Sequence, residues 1–167
     1  MIAYILIVIG FMMRLIPHAP NIAPVAAIAL FAGAYLDRRI VPWVPLAIMI
    51  ASDIIIGLHD VVFYTWGAFI LIGLLGMRLK EKRTPLRIFG MTVSSALIFF
   101  AISNFGVALA WYPHTAQGFI RCYVNALPFL RNTMISNVTF AFVLFGCYEL
   151  ARRLAEGTRY SKVLLAG

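Results

Sequence analysis

Residues 88–112 form a run of twenty-five positions without one charged side chain. A helix of that length in water needs a polar face, whereas an apolar stretch of about 18 residues or more reads as a membrane span. The rest of the chain agrees. Hydrophobic residues make up 63% and charged residues 12% of the 167 positions, against roughly 45–50% and about 25% in soluble domains. A soluble core of this size cannot absorb so much apolar surface, so the sequence asks for lipid as its solvent.

Six membrane helices are expected, at 2–16, 22–36, 41–58, 61–79, 86–112 and 133–154, together forming one all-α integral membrane domain over residues 1–167. Pro17 ends the first. The second is short and alanine-rich and stops at Asp37-Arg38-Arg39. Pro42 and Pro45 fall in the first turns of the third, where proline is tolerated. Gly57-Leu58-His59-Asp60 makes a tight turn into the fourth. A longer loop, 113–132, precedes the sixth and has room for a short interfacial helix. No basic segment precedes the apolar start, and no A-x-A site comes before Pro17 and Pro20, which favours a retained first helix over a cleaved signal.

The charges supply an orientation. With six spans, eleven of the fourteen Lys and Arg residues fall on one side: Arg38, Arg39, Arg78, Lys80, Lys82, Arg83, Arg87, Arg152, Arg153, Arg159 and Lys162. Only Arg14, Arg121 and Arg131 fall on the other. The positive-inside rule then places both termini in the cytoplasm of a bacterial inner membrane. The net charge of +8 is accounted for by topology and calls for no nucleic acid. The run Lys80-Glu81-Lys82-Arg83 needs no role beyond setting that topology.

Polar residues gather on the opposite, outer side. His18 and Asn21 lie in the first outer loop, His59 and Asp60 in the second, and His114, Gln117, Arg121 and Asn132 in the third. Asp53 sits at membrane depth, where a carboxylate marks a functional site by default; Arg14 or a loop histidine is its expected partner, and a tie between helices is the plainer alternative. Asn104 and Asn137 either line a polar cavity or bond between helices, an interaction averaging about 0.6 kcal/mol in membranes. Tyr64 and Trp66 either stack on a flat ligand or join an interfacial aromatic belt. Ala23/Ala27 and Ala29/Gly33 set small residues four apart, a pattern that lets helices approach closely, either within the chain or as a docking face for a partner. Cys122 and Cys147 are expected near opposite faces as free thiols. The chain has no nucleophile elbow, no H-E-x-x-H, no P-loop and no dinucleotide fingerprint.

Two stretches carry a resemblance: Arg14-Leu15-Ile16-Pro17-His18-Ala19-Pro20-Asn21-Ile22-Ala23-Pro24, continuing to Tyr35, and Ala51-Ser52-Asp53-Ile54-Ile55-Ile56-Gly57-Leu58-His59-Asp60. They resemble a family of small bacterial six-helix transport proteins, similar in architecture to the S components of energy-coupling factor (ECF) vitamin transporters, nearest the cobalamin-type members. The resemblance implies uptake of a vitamin-like micronutrient bound from the outer side, with cobalamin or a related compound as the leading substrate and no intrinsic cofactor. It implies that His18 and Asp53 match the loop histidine and membrane aspartate that surround the corrin; the polar and aromatic residues Asn21, His59, Tyr64, Trp66 and Asn104 complete the expected substrate-binding set. It also implies partner docking through Ala23, Ala27, Ala29 and Gly33, either to an ECF-type coupling subunit with its ATPases or to none if the protein works alone. The cysteine of the cobalamin-type members has no match after His59, so His59 or His18 is the candidate cobalt ligand of a bound corrin, imidazole being suited to that metal. The rival readings are an intramembrane enzyme acting on a lipid-linked substrate, with Asp53 and a histidine as an acid–base pair, and a non-catalytic assembly or scaffold protein.

Overall fold

A computed structural model describes residues 1–16 and 21–156. Among these residues it contains six α-helices and no strand: α1 (Ile2–Leu15), α2 (Val25–Tyr35), α3 (Trp43–Ile56), α4 (Val62–Gly76, extended by a single 3-10 turn at Met77–Leu79), α5 (Pro85–Trp111) and α6 (Ala116–Glu156). Three helical stretches, Val62–Leu79, Pro85–Trp111 and Ala116–Glu156, are long and apolar enough to cross a membrane; α1, α2 and α3 are shorter apolar helices.

The helices alternate in direction. One end of the bundle gathers the C-termini of α1, α3 and α5 with the N-termini of α2 and α4, as the link from Trp66 to Asp53 and the pair Arg14–Asp53 show. The opposite end gathers the basic residues, where Lys80 Nζ donates to Leu36 O and Arg83 Nη2 donates to Ala34 O at 2.8 Å. The first is called the cavity end below and the second the basic end.

The architecture turns on α2. This eleven-residue helix touches all five others, and every residue from Val25 to Ala34 is buried. At 1.5 Å per residue it is only about 16 Å long, far short of a membrane's apolar core; its neighbours separate it from that core on every side. Its small residues are used internally. A Cβ on Gly33 would run into Gly73 O and come within 2.7 Å of Gly76 Cα, and one on Gly76 would run into the backbone of Leu30. Thus α2 and α4 meet backbone to backbone. Ala27 and Ala29 are buried in the same core. The expected docking face is therefore corrected at Ala27, Ala29 and Gly33, which the chain's own helices cover; Ala23 precedes α2, is half-buried and lines the cavity described below. Small residues at spacing four report close approach, and here the close approach is intramolecular.

The bundle exposes apolar side chains on its outer surface. In α1, Ala3, Ile7 and Gly10 are buried at helical spacing, while Ile5, Val8, Ile9 and Met12 are exposed.

The second correction concerns α6. The expected loop at 113–132 is mostly helix, continuous with the sixth span. The turn from α5 is tight. Thr115 Oγ1 accepts from Gly118 N at 3.1 Å as an N-terminal cap, and the His114 ring bonds Leu109 O at 2.9 Å. The resulting 41-residue helix would be about 60 Å long if straight, twice the ~30 Å apolar thickness of a bilayer. It does not run as one straight rod along α5. Cys122 meets Asn104 and Asn137 meets Ser95, so fifteen residues of α6 answer to nine of α5. Pro128 lies between these contacts; lacking an N–H, it breaks the bond to Val124 O and is the ordinary cause of a helix kink. The first part of α6 thereby folds over the cavity end.

Candidate site at the cavity end

A cavity of about 430 Å³ opens at this end, lined from all six helices or their connections. Three helices contribute a stripe each, and α1, α2 and α3 contribute Arg14, Ala26 and Met49. On α4 it is Thr65 and Phe69, one turn apart and following Val61; on α5, Phe99, Ser103, Asn104 and Val107; on α6, Cys122, Ala126, Phe129, Thr133 and Asn137. Spacings of three and four put each set on one helix face. Phe69 and Phe99 stack with ring centroids 5.0 Å apart, forming an aromatic wall.

The polar groups on the wall share one habit. Thr65, Ser103 and Thr133 each donate their hydroxyl to a carbonyl of their own helix, at 2.9, 2.7 and 2.9 Å. Such back-bonding leaves the oxygen lone pairs as acceptors. Asn104 donates to Phe100 O at 2.8 Å, and Asn137 to Ser95 Oγ at 3.3 Å. Among the described residues the lining contains no carboxylate, and its one permanent charge is Arg14.

That charge is neutralised from behind. Arg14 Nη2 lies 2.9 Å from Asp53 Oδ1, and its Nε donates to Ser52 Oγ at 2.7 Å. The other carboxylate oxygen accepts from Trp66 Nε1 at 2.8 Å. Asp53 is 2% exposed and is held by α1 and α4 together. Its chemistry is consumed by positioning: it fixes the guanidinium on the cavity wall, where donors of Arg14 beyond Nε and Nη2 remain for a ligand.

Residues 1–159 match a family described as "Family of unknown function (DUF6580)". The chain belongs to that family. No curated protein and no solved structure matches the chain.

The structure sorts the site residues expected for this DUF6580 chain. Asn21, His59 and Asn104 line the cavity. Asp53 stands behind Arg14 and does not line it. Tyr64 and Trp66 do not line it either. Tyr64 packs on Gly106 and lies 6.1 Å from Phe105, ring to ring, while the Trp66 indole is engaged by Asp53. Thr65, between them, holds the inward position, because side chains at i±1 on a helix point about 100° away. His18 lies outside the described residues. His114 closes the α5–α6 turn and does not line the cavity. No group of three His, Cys, Asp or Glu side chains suited to a metal occurs among them. Both cysteines are free, Cys122 buried and Cys147 exposed.

Sequence reasoning passed over Cys122, Asn125 and Phe129 because 113–132 reads as a loop. It passed over Thr65, Phe69 and Phe99 because single apolar or hydroxyl residues in a span carry no mark. The recoverable signal was periodicity: 61/65/69 is a helical stripe with a hydroxyl at its middle, and 122/126/129/133/137 is one ending on Thr133 and Asn137.

Proposed function

We propose that this protein is the substrate-binding part of a membrane uptake system for a vitamin-like micronutrient, with all six helices in the bilayer. The ligand enters from the side away from the basic loops, which is extracytoplasmic by the positive-inside rule. The cavity is the observation that carries the reading. It is concave, mixed in polarity, walled by two stacked phenylalanines, and bounded by hydroxyl and amide side chains from three helices and by Asn21 and His59 in the connections. Ligand sites of this kind span roughly 300–1,000 Å³ for drug-sized molecules. The volume favours a ligand well below a corrinoid in size, so cobalamin, with His59 as its cobalt ligand, becomes one member of the panel to be tested rather than its head. The wall favours an uncharged, partly aromatic molecule, because Arg14 and Asp53 cancel and no carboxylate lines the cavity among the described residues.

The test is ligand discovery. Protein purified in mild detergent is analysed by native mass spectrometry and absorbance, then titrated with a panel of vitamins that includes cobalamin. Binding at one ligand per chain, weakened about tenfold by Asn104→Ala or Asn21→Gly, is expected. Glycine is the substitution of choice at position 21, because Asn21 has φ 62° and glycine keeps that left-handed backbone without strain. Absence of binding across the panel counts against the reading.

A further inference from the structure

A second cavity, of about 730 Å³, lies at the basic end between the start of α5 and the end of α6. The reading above makes no use of it. Its lining includes Arg83, Arg152 and Arg153 against one acid, Glu149, a net charge of +2 on the wall. Arg152 is held on both sides, by Glu149 and Glu156 at 2.8 Å each. Arg153 makes one contact with Glu149, through Nε at 3.0 Å, and its side chain is 72% exposed. Arg83 lies 4.5 Å above the Tyr35 ring with one Nη on Ala34 O. Arg83 and Arg153 therefore keep guanidinium donors for an anion.

The wall changes character along its length. From Arg153 back to Phe142, α6 presents the arginines, then Glu149 and Tyr148, then Gly146 and Phe145, then Phe142. At 1.5 Å per residue this gradient covers about 16 Å. Across the cavity, α5 adds Pro85 and then Ile88. Beside the apolar part, Phe89, Phe142 and Val143 are exposed on the outer faces of the two helices. A soluble anion would use only the arginine end. A molecule with an anionic head and acyl chains matches the whole gradient.

We infer that this cavity binds an anionic phospholipid, its phosphodiester between Arg83 and Arg153 and its acyl chains lying over Ile88 and Phe142. Basic pockets between membrane helices hold such headgroups by this combination of charge and apolar wall. The site is separate from the ligand cavity and stands or falls independently of the uptake reading.

The experiment uses full-length protein in neutral detergent, titrated separately with phosphatidylglycerol, phosphatidylcholine and inorganic phosphate, reading the thermal midpoint and lipid retention by native mass spectrometry. Phosphatidylglycerol is expected to raise the midpoint and stay bound, while the other two do neither. Arg153→Gln should weaken phosphatidylglycerol retention about fivefold, the effect of about one basic residue near an anionic lipid. Arg39→Gln, a charge change outside the cavity, should leave retention unchanged. Arg83 also ties to Ala34 O, so Arg83→Lys, which keeps the charge, is its folding control and should retain most binding. Equal retention of phosphatidylcholine, or an Arg153→Gln protein that binds like the parent, would overturn the site. A shift reproduced by inorganic phosphate alone would overturn the lipid as its occupant.

Discussion

At the cavity end Arg14 and Asp53 are 2.9 Å apart, with side chains 15% and 3% exposed; at the basic end Arg152 and Glu149 are 2.8 Å apart, with side chains 42% and 37% exposed. The chemistry and the distance are the same, and the surroundings differ. Asp53 has both oxygens engaged by side chains of two other helices, and its partner forms part of a cavity wall. Among the described residues Glu149 is paired only with Arg152 and Arg153, three and four residues away on its own helix. The first pair joins three helices and sets the charge of a binding site. The second stays within one helix, on the half-exposed wall of the basic-end cavity. Burial and sequence separation, rather than the ion pair itself, decide which job is done.

The largest effect should come from breaking the buried pair. Asp53→Asn leaves Arg14 without its counter-charge, and removing one partner of a buried pair costs about 3–5 kcal/mol. Denaturant unfolding in detergent measures it. The double variant Arg14→Met/Asp53→Leu should recover most of that loss, because apolar replacement of both partners is often close to neutral, while removing the guanidinium from the cavity. A double variant as unstable as Asp53→Asn would mean the pair is needed for more than mutual neutralisation.

Next in size is the helix that holds the two ends together. Gly33→Ala forces a Cβ into the backbone of Gly73 and Gly76. Overpacking typically costs about 1–3 kcal/mol, and backbone neighbours that cannot rotate away place this site at the upper end. Gly90→Ala meets open space and should be neutral or slightly stabilising, since alanine is the better helix former by up to about 1 kcal/mol. Thermal midpoints of the two variants, compared side by side, test whether close approach of α2 and α4 is what the glycine provides.

The smallest effect is expected at the basic end. Glu149→Gln should cost under about 1 kcal/mol, and the difference from the parent should shrink in about 1 M salt, where screening reaches ~3 Å. A loss as large as that of Asp53→Asn would erase the contrast between the two ends.

How far the sequence foretold this arrangement depends on the kind of residue. Apolar runs and the proline and glycine breaks mark six helices, and the observed bounds differ from the expected ones by a few residues except in α6. There Arg121, Asn125, Pro128 and Arg131 read as a loop. The segment is helical because Thr115 caps it and the outer half of α5 packs against it, as Tyr123 Oη donating to Ala101 O at 2.7 Å shows. Neither cause is visible in local hydropathy. Arg14 was already a candidate partner for Asp53, because an unpaired charge at that depth is too costly to leave alone. The face of α4 was misjudged: Tyr64 and Trp66 draw the eye as aromatics, while the cavity is reached by Thr65. The small residues of α2 signal close packing without saying against what, and only the three-dimensional arrangement puts Gly73 and Gly76 opposite Gly33.

The most direct measurement is a ligand titration of the parent protein beside Asn104→Ala and Tyr64→Phe, with the vitamin panel and native mass spectrometry as readout. One ligand per chain, bound about tenfold more weakly by Asn104→Ala and unchanged by Tyr64→Phe, is the predicted result. A ligand whose binding responds to Tyr64 and ignores Asn104, or a parent protein that binds nothing in the panel, would contradict the assignment of this cavity as the substrate site.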